Sequence, residues 1–139
     1  MFQKILIAYD GSEHARRAAR IAGELGRLKN HAELWLVVVV EPIPKDLGEP
    51  YADKLIAKRT QEGEELICKA KEFIGEGITV NEVLLFASPA ESIIEEAKIR
   101  KCDLIIMGTR GLGSLRGLLL GSQTHKVISM ATCPVLAVK

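Results

Sequence analysis

Residues 103–122 run DLIIMGTRGLGSLRGLLLGS. They open with an apolar run, Leu104-Ile105-Ile106-Met107, that lacks the polar alternation of a half-exposed strand. Such a run predicts a strand buried on both faces. Glycines then recur at 108, 111, 113, 117 and 121, with Arg110 and Arg116 among them, and Gly121-Ser122 opens an amphipathic helix expected over 123–130. A strand, a glycine-rich loop and a helix start in succession make a place for an anion. Glycine lets backbone N–H groups turn toward a ligand with no Cβ in the way. The helix start adds unpaired N–H donors and a partial positive charge. The competing reading is a plain surface loop, since long loops are usually either functional or disordered.

Two familiar phosphate patterns fail here. Gly108 and Gly113 have P-loop spacing, but Ser114 stands where that pattern needs lysine. Arg116 stands where GxGxxG needs its last glycine after Gly111 and Gly113. What remains is Gly108-x2-Gly111-x9-Gly121-Ser122.

Working outward, four more strands are expected. Lys4-Ile5-Leu6-Ile7-Ala8-Tyr9 ends at the turn Asp10-Gly11-Ser12, and 34–40 (LWLVVVV) is apolar on both faces, as a central parallel strand requires. The others are 78–86 and Val135-Leu136-Ala137-Val138. Helices fill the gaps. Ala15, Ala18, Ala19, Ala22 and Leu25 recur at helical spacing, with Asn30 a suitable C-cap. A second helix is expected over 52–73, with Leu55, Ile56, Leu66, Ile67, Ala70 and Phe73 inward and Gly63 as a weak point. Ser88-Pro89-Ala90-Glu91 has the form of a capping box ahead of a third, with Ile93, Ile94 and Ala97 on its apolar side. Strands alternating with helices mean an α/β fold, a parallel sheet covered on both faces, and ligands bound at strand carboxyl ends where strand order reverses.

Composition narrows the function classes. The 139 residues are read as one domain, 1–139, with a core of its own. Net charge is +1 and aromatics make up 4%, so neither a basic field nor a stacking platform points to nucleic acid. The longest apolar run is too short to span a bilayer, and the start has no signal-peptide pattern. Cys68, Cys102 and Cys133 are odd in number and widely spaced, which suits buried thiols in a reducing cytoplasm. His14, His31 and His125 fall in separate elements and make no ligand set; surface or helix-cap roles are expected for them.

The Gly-x2-Gly-x9-Gly-Ser spacing resembles the ATP-binding signature of the universal stress protein family. The likeness covers nearly the whole chain: ILIAYDGSEHA is similar to the family's opening strand and turn, VVVVEP to its second strand, and CPVLAVK to its last. It implies a Rossmann-like, adenine-nucleotide alpha-hydrolase-like sheet of order 3-2-1-4-5. Ala87 departs from the usual glycine, Val38 stands where many members have histidine, and the 42–50 loop does not align.

On that resemblance the site takes ATP with Mg²⁺ or Mn²⁺. Ala8, Tyr9, Asp10, Val39, Met107, Gly108, Thr109, Arg110, Gly111, Gly121, Ser122 and Gln123 are its expected contacts. Val39 matches the family position whose backbone lies against adenine, and Met107 touches the base or merely packs. Asp10 matches the metal-and-ribose position; a carboxylate beside phosphates also needs a cation between them. Ser122 reads as N-cap and phosphate contact rather than nucleophile. Arg110 and Arg116 stand evenly between phosphate pairing and solvation. Gln123 is the one water-positioning candidate, expected to face solvent from the first turn of its helix.

Three functions stay open at this stage. The favoured one is a cytoplasmic, nucleotide-responsive regulatory module, homodimeric through its C-terminal strand, with a protein partner the residues do not name. The second is a slow ATP hydrolase; its hydrolase relatives usually carry a Ser-Gly-Gly-x-Asp-Ser loop after strand one, which Asp10-Gly11-Ser12-Glu13 is not. The third is a dimer that binds partners without nucleotide.

Overall fold

The computed structural model describes residues 1–28, 32–111 and 120–139. Along them run β1 (Lys4–Ala8), α1 (Glu13–Leu28), β2 (Glu33–Val40), α2 (Tyr51–Ile74), β3 (Thr79–Phe86), α3 (Pro89–Ile99), β4 (Leu104–Gly108), α4 (Ser122–Met130) and β5 (Val135–Val138). The strands form one parallel sheet in the order β3-β2-β1-β4-β5, the expected 3-2-1-4-5. Ile7 faces Leu36 on one side and Ile106 on the other. β1 is therefore central, and strand order reverses between β1 and β4.

Alternation along the strands divides the core in two. Ile5, Ile7, Tyr9, Leu34, Leu36, Val38, Leu104 and Ile106 point toward α1 and α2. Leu6, Ala8, Val37, Ile105 and Met107 point toward α3 and α4. Ala15, Ala18, Ala19 and Ala22 let α1 lie close on its face of the sheet. The strands thus carry apolar residues on both faces because both faces are covered.

Several local expectations are corrected. Gly63 does not interrupt α2, which is continuous; a Cβ there would stand 2.5 Å from Leu84 Cδ1, so the glycine permits close approach to β3. Ile56 is 41% exposed rather than inward. Cys68 is exposed, while burial pushes the Cys102 thiol up to about 12 and keeps it protonated. Ser88 occupies the N-cap of α3, but its side chain makes no capping bond, and Glu91 pairs instead with Lys126 of α4. The start of the 42–50 loop is held from α2, where Arg59 donates to the carbonyls of Glu41 and Pro42. Asn30, His31, Ser114 and Arg116 lie outside the described residues. No described helix is long and apolar enough to cross a membrane.

Candidate functional site

Where β1 and β4 end side by side, their chains part and leave a cavity of about 490 Å³. This is the position at which parallel α/β sheets take ligands. One end is apolar. Ala8, Val37, Val39 and Met107 reach it from the strands, and Pro89 and Ile93 close it from α3. Val37 and Val39 share a sheet face, and Ala8 and Met107 belong to that same face.

Backbone groups edge this apolar end. Val37 C=O accepts the Tyr9 N–H at 3.1 Å, and Val40 C=O accepts the Ala87 N–H at 3.1 Å. Alternation then turns the N–H and C=O of Val39 to the β1 side, beyond the last residue of β1. Val38 lies on the opposite face in the α1–α2 core, so its departure from the common histidine does not alter the cavity wall.

The other end is polar. Asp10, Ser12, Arg110, Gly111, Gly121 and Ser122 line it. Two helices begin here. Ser12 ends the turn before α1: its N–H donates to Asp10 Oδ1 at 2.9 Å, and its Oγ accepts the Ala15 N–H at 3.2 Å. The N-cap of α4 is Gly121, not Ser122 as the sequence suggested; Ser122 is the first helical residue. The first N–H groups of a helix have no partner within it and attract anions. Gly111 lies against Asp10, where a Cβ would collide with the carboxylate, and a Cβ on Gly108 would stand 2.7 Å from His14 Cβ. Close approach thus demands glycine at 108, whereas at 111 the neighbour is the end of a side chain.

The frame of the polar end is pinned by three bonds. Thr109 N–H donates to Val138 C=O at 2.7 Å, Thr109 C=O accepts the Gly121 N–H at 2.7 Å, and Thr124 Oγ1 donates to Gly108 C=O at 2.8 Å. Gly121 is thus held against Thr109 at the end of β4.

Eleven of the twelve expected contacts line the cavity: Ala8, Tyr9, Asp10, Val39, Met107, Gly108, Arg110, Gly111, Gly121, Ser122 and Gln123. Thr109 does not; it is buried behind the wall. Tyr9 contributes at the strand end while its ring packs into the α1–α2 core, 6.5 Å from Phe73. Burial raises the Tyr9 pKa, against the lowering influence of Arg16. Gln123 is not merely solvent-facing: its Oε1 accepts the Ala90 N–H at 3.0 Å and does the capping that Ser88 was expected to do.

Six lining residues were missed by the sequence reading: Ser12, Ala15, Val37, Pro89, Ile93 and Thr124. Val37 was within reach by its two-residue spacing from Val39, and Ser12 by its place after Asp10-Gly11. His14 was also misjudged. It is partly buried and bridges Thr109 and Arg110.

The donor set fits a phosphate-bound divalent cation rather than a protein-caged one. Among the described residues no group of three His, Cys, Asp or Glu side chains could hold a metal. Asp10 supplies a single carboxylate at the polar end of the cavity. Mg²⁺ is commonly bound by one or two carboxylates together with substrate phosphates.

Comparison with known proteins agrees with this geometry. Residues 1–139 match the Universal stress protein family. A Thermus aquaticus universal stress protein, encoded in the QAH/OAS sulfhydrylase 3′ region, is 43% identical over 139 residues, covering all of both chains. The structure of the hypothetical protein MJ0577 of Methanocaldococcus jannaschii superposes with TM-score 0.87 at 33% identity, covering 100% of this chain and 96% of that one. A universal stress protein in complex with cAMP superposes with TM-score 0.68 at 26% identity, covering 99% of this chain and 96% of that one. By its sheet order, its glycine spacing and these matches, the chain belongs to the universal stress protein family.

Proposed function

We propose that this chain binds ATP together with Mg²⁺ or Mn²⁺ and serves as a nucleotide-responsive regulatory module of the stress response, in the cytoplasm. The observation that carries this reading is one cavity with two unlike ends. The apolar end suits a base, and the end where α1 and α4 begin suits phosphates. The relative in complex with cAMP supports an adenine nucleotide. Val39 presents an N–H and a C=O side by side, complementary to the ring acceptor and amino donor of adenine; guanine offers the reverse pair.

Affinity on this reading is composite. A helix terminus stabilises an anion by about 0.3–1 kcal/mol, up to ~2 in favourable settings. Micromolar binding needs about 8 kcal/mol. The helix starts of α1 and α4, Arg110, the base slot and a cation beside Asp10 share the task. When bound, the cation neutralises phosphate charge next to that carboxylate.

A homodimer through β5 belongs to the same proposal. β5 is an edge strand of the sheet, Leu136 on it is 38% exposed, and an apolar edge invites pairing with a symmetry mate.

Mass spectrometry of nucleotide released from purified, denatured protein, with calorimetry of ATP and GTP on the emptied protein, tests the binding. ATP is expected to bind at least about ten-fold tighter than GTP, the cost of two mismatched hydrogen-bonding groups. Equal affinities would remove the Val39 edge from the argument, and no binding of either would end the nucleotide reading.

A further inference from the structure

His14 stands behind the cavity wall, yet it touches two residues that shape the phosphate end. Its Nδ1 lies 2.7 Å from Thr109 Oγ1, and its Nε2 lies 3.3 Å from Arg110 Nη2. A guanidinium only donates, so Nε2 is the acceptor and the ring proton sits on Nδ1, donated to Thr109. The ring is thereby fixed as the neutral Nδ1–H tautomer. The contact of Gly108 beneath the first turn of α1 fixes its backbone as well.

We infer that His14 is a positioning residue: its unprotonated Nε2 holds the Arg110 guanidinium at the phosphate end of the cavity, and a proton on Nε2 releases it. This rests on the nucleotide reading above. With one N–H of Arg110 spent on His14, the remaining donors are left for phosphate oxygens in a fixed orientation. Protonation removes the acceptor and sets an imidazolium against a guanidinium. An organised Arg110 then becomes a displaced one.

The groups that face the ring are Thr109 and Arg110 after β4, Glu13 and Arg17 on α1, and Asp10 after β1. Burial first, then Arg110 and Arg17, hold the imidazole below its usual value of 6.5, while Glu13 and Asp10 pull the other way. Histidine is the side chain whose charge ordinarily changes between about pH 5 and 8. The window lies below pH 6.5. The site is organised at neutral pH and loosens as the pH falls. A bare gain of positive charge would do the opposite and tighten phosphate binding, so the sign of the pH effect separates the two.

Two measurements test this. The first is NMR titration of the His14 ring without nucleotide, in the wild type and in Arg110→Ala. Loss of the guanidinium is expected to raise the His14 pKa by roughly half a unit or more, and an unchanged value overturns the inference. The second is calorimetry of ATP at pH 7.5 and 5.5 for the wild type, His14→Gln and His14→Asn. The glutamine amide keeps an acceptor where Nε2 stands but cannot be protonated, whereas the shorter asparagine reaches Thr109 and not Arg110. Protonation of ATP itself is common to all three proteins and cancels. The wild type is expected to lose about five-fold more affinity on acidification than His14→Gln, a margin in the range of one charge-assisted hydrogen bond. His14→Asn is expected to be weak at both pH values. Equal losses in the wild type and His14→Gln overturn the inference and leave the nucleotide reading standing. Absence of ATP binding by the wild type at either pH overturns the nucleotide reading, and this inference with it.

Discussion

The Oε1 of Gln123, on the first turn of α4, accepts the backbone N–H of Ala90, on the first turn of α3, at 3.0 Å. Thirty-three positions separate the two residues, and the bond joins the helix beside the polar end of the cavity to the helix that closes the apolar end. Lys126 and Glu91 repeat the connection with an ion pair one turn on.

Replacing Gln123 with alanine leaves the buried Ala90 N–H without this partner. A loss of about 1–2 kcal/mol in urea unfolding is expected, together with a few-fold weaker ATP affinity. The same bond bears on turnover. Residues 108–122 contain no carboxylate and no glutamine, and the amide of Gln123 is already engaged. Glycine N–H groups hold ground state and transition state alike, and uniform binding does not accelerate chemistry. Slow or absent ATP hydrolysis is therefore expected in single-turnover assays with excess protein. A rate near ~1 s⁻¹, the low end for kinases, that disappears in Gln123→Ala would move the protein to the enzymes.

The glycines at 121 and 108 should fail in different ways. Gly121 lines the cavity with extended backbone dihedrals, φ −71° and ψ 160°, that valine also adopts. Gly121→Val is expected to fold normally and lose ATP binding by about 100-fold or more, as a branched side chain fills phosphate space. Gly108→Ala places a Cβ 2.7 Å from His14 Cβ and 3.0 Å from the Ala15 nitrogen. It is expected to cost about 1–3 kcal/mol of stability through overpacking. Calorimetry and thermal unfolding of both variants separate the effects; unchanged ATP affinity in Gly121→Val would sink the site assignment.

Asp10→Asn removes one negative charge from the polar end of the cavity while keeping an oxygen to accept the Ser12 N–H. ATP with Mg²⁺ is expected to bind several-fold more weakly to this variant, and ATP without metal several-fold more tightly, since a cation no longer has to separate two like charges. Calorimetry with and without chelator checks both signs. Equal metal dependence in the wild type and the variant would take the cation away from Asp10.

Leu136→Lys puts a charge on the exposed apolar position of the β5 edge. Light scattering is expected to find the wild type dimeric at tens of micromolar, roughly the range of weak dimers, and the variant monomeric. A wild-type monomer at that concentration would remove the dimer from the proposal.

The strands were legible because burial on both faces leaves a mark in the sequence: 34–40 and 104–107 are apolar without alternation. The glycine spacing located the polar end of the cavity for a similar reason, since a residue without Cβ records close approach. Other features left no local trace. His14 finds Thr109 at a separation of 95 residues, and Gln123 finds Ala90 across the fold; neither neighbourhood contains its partner. Ser88 has the local grammar of a cap, but a distant amide took its role. Pro89 and Ile93 read as an apolar helix side, and nothing in that pattern separates a side facing core from one facing a cavity. Ile56 shows the reverse failure, an apolar residue at helical spacing on a turn that the sheet does not cover.

The single hydrogen bond from Gly121 N–H to Thr109 C=O closes a ring in the chain. The end of β4 and the start of α4 are thereby tied to each other and, through Thr109, to β5. Loop-closure cost grows slowly with length, about 0.6 kcal/mol for each doubling, so residues added between 111 and 121 are expected to leave that tie standing. Length and sequence between positions 111 and 121 can thus vary while Gly108 and α4 keep their places.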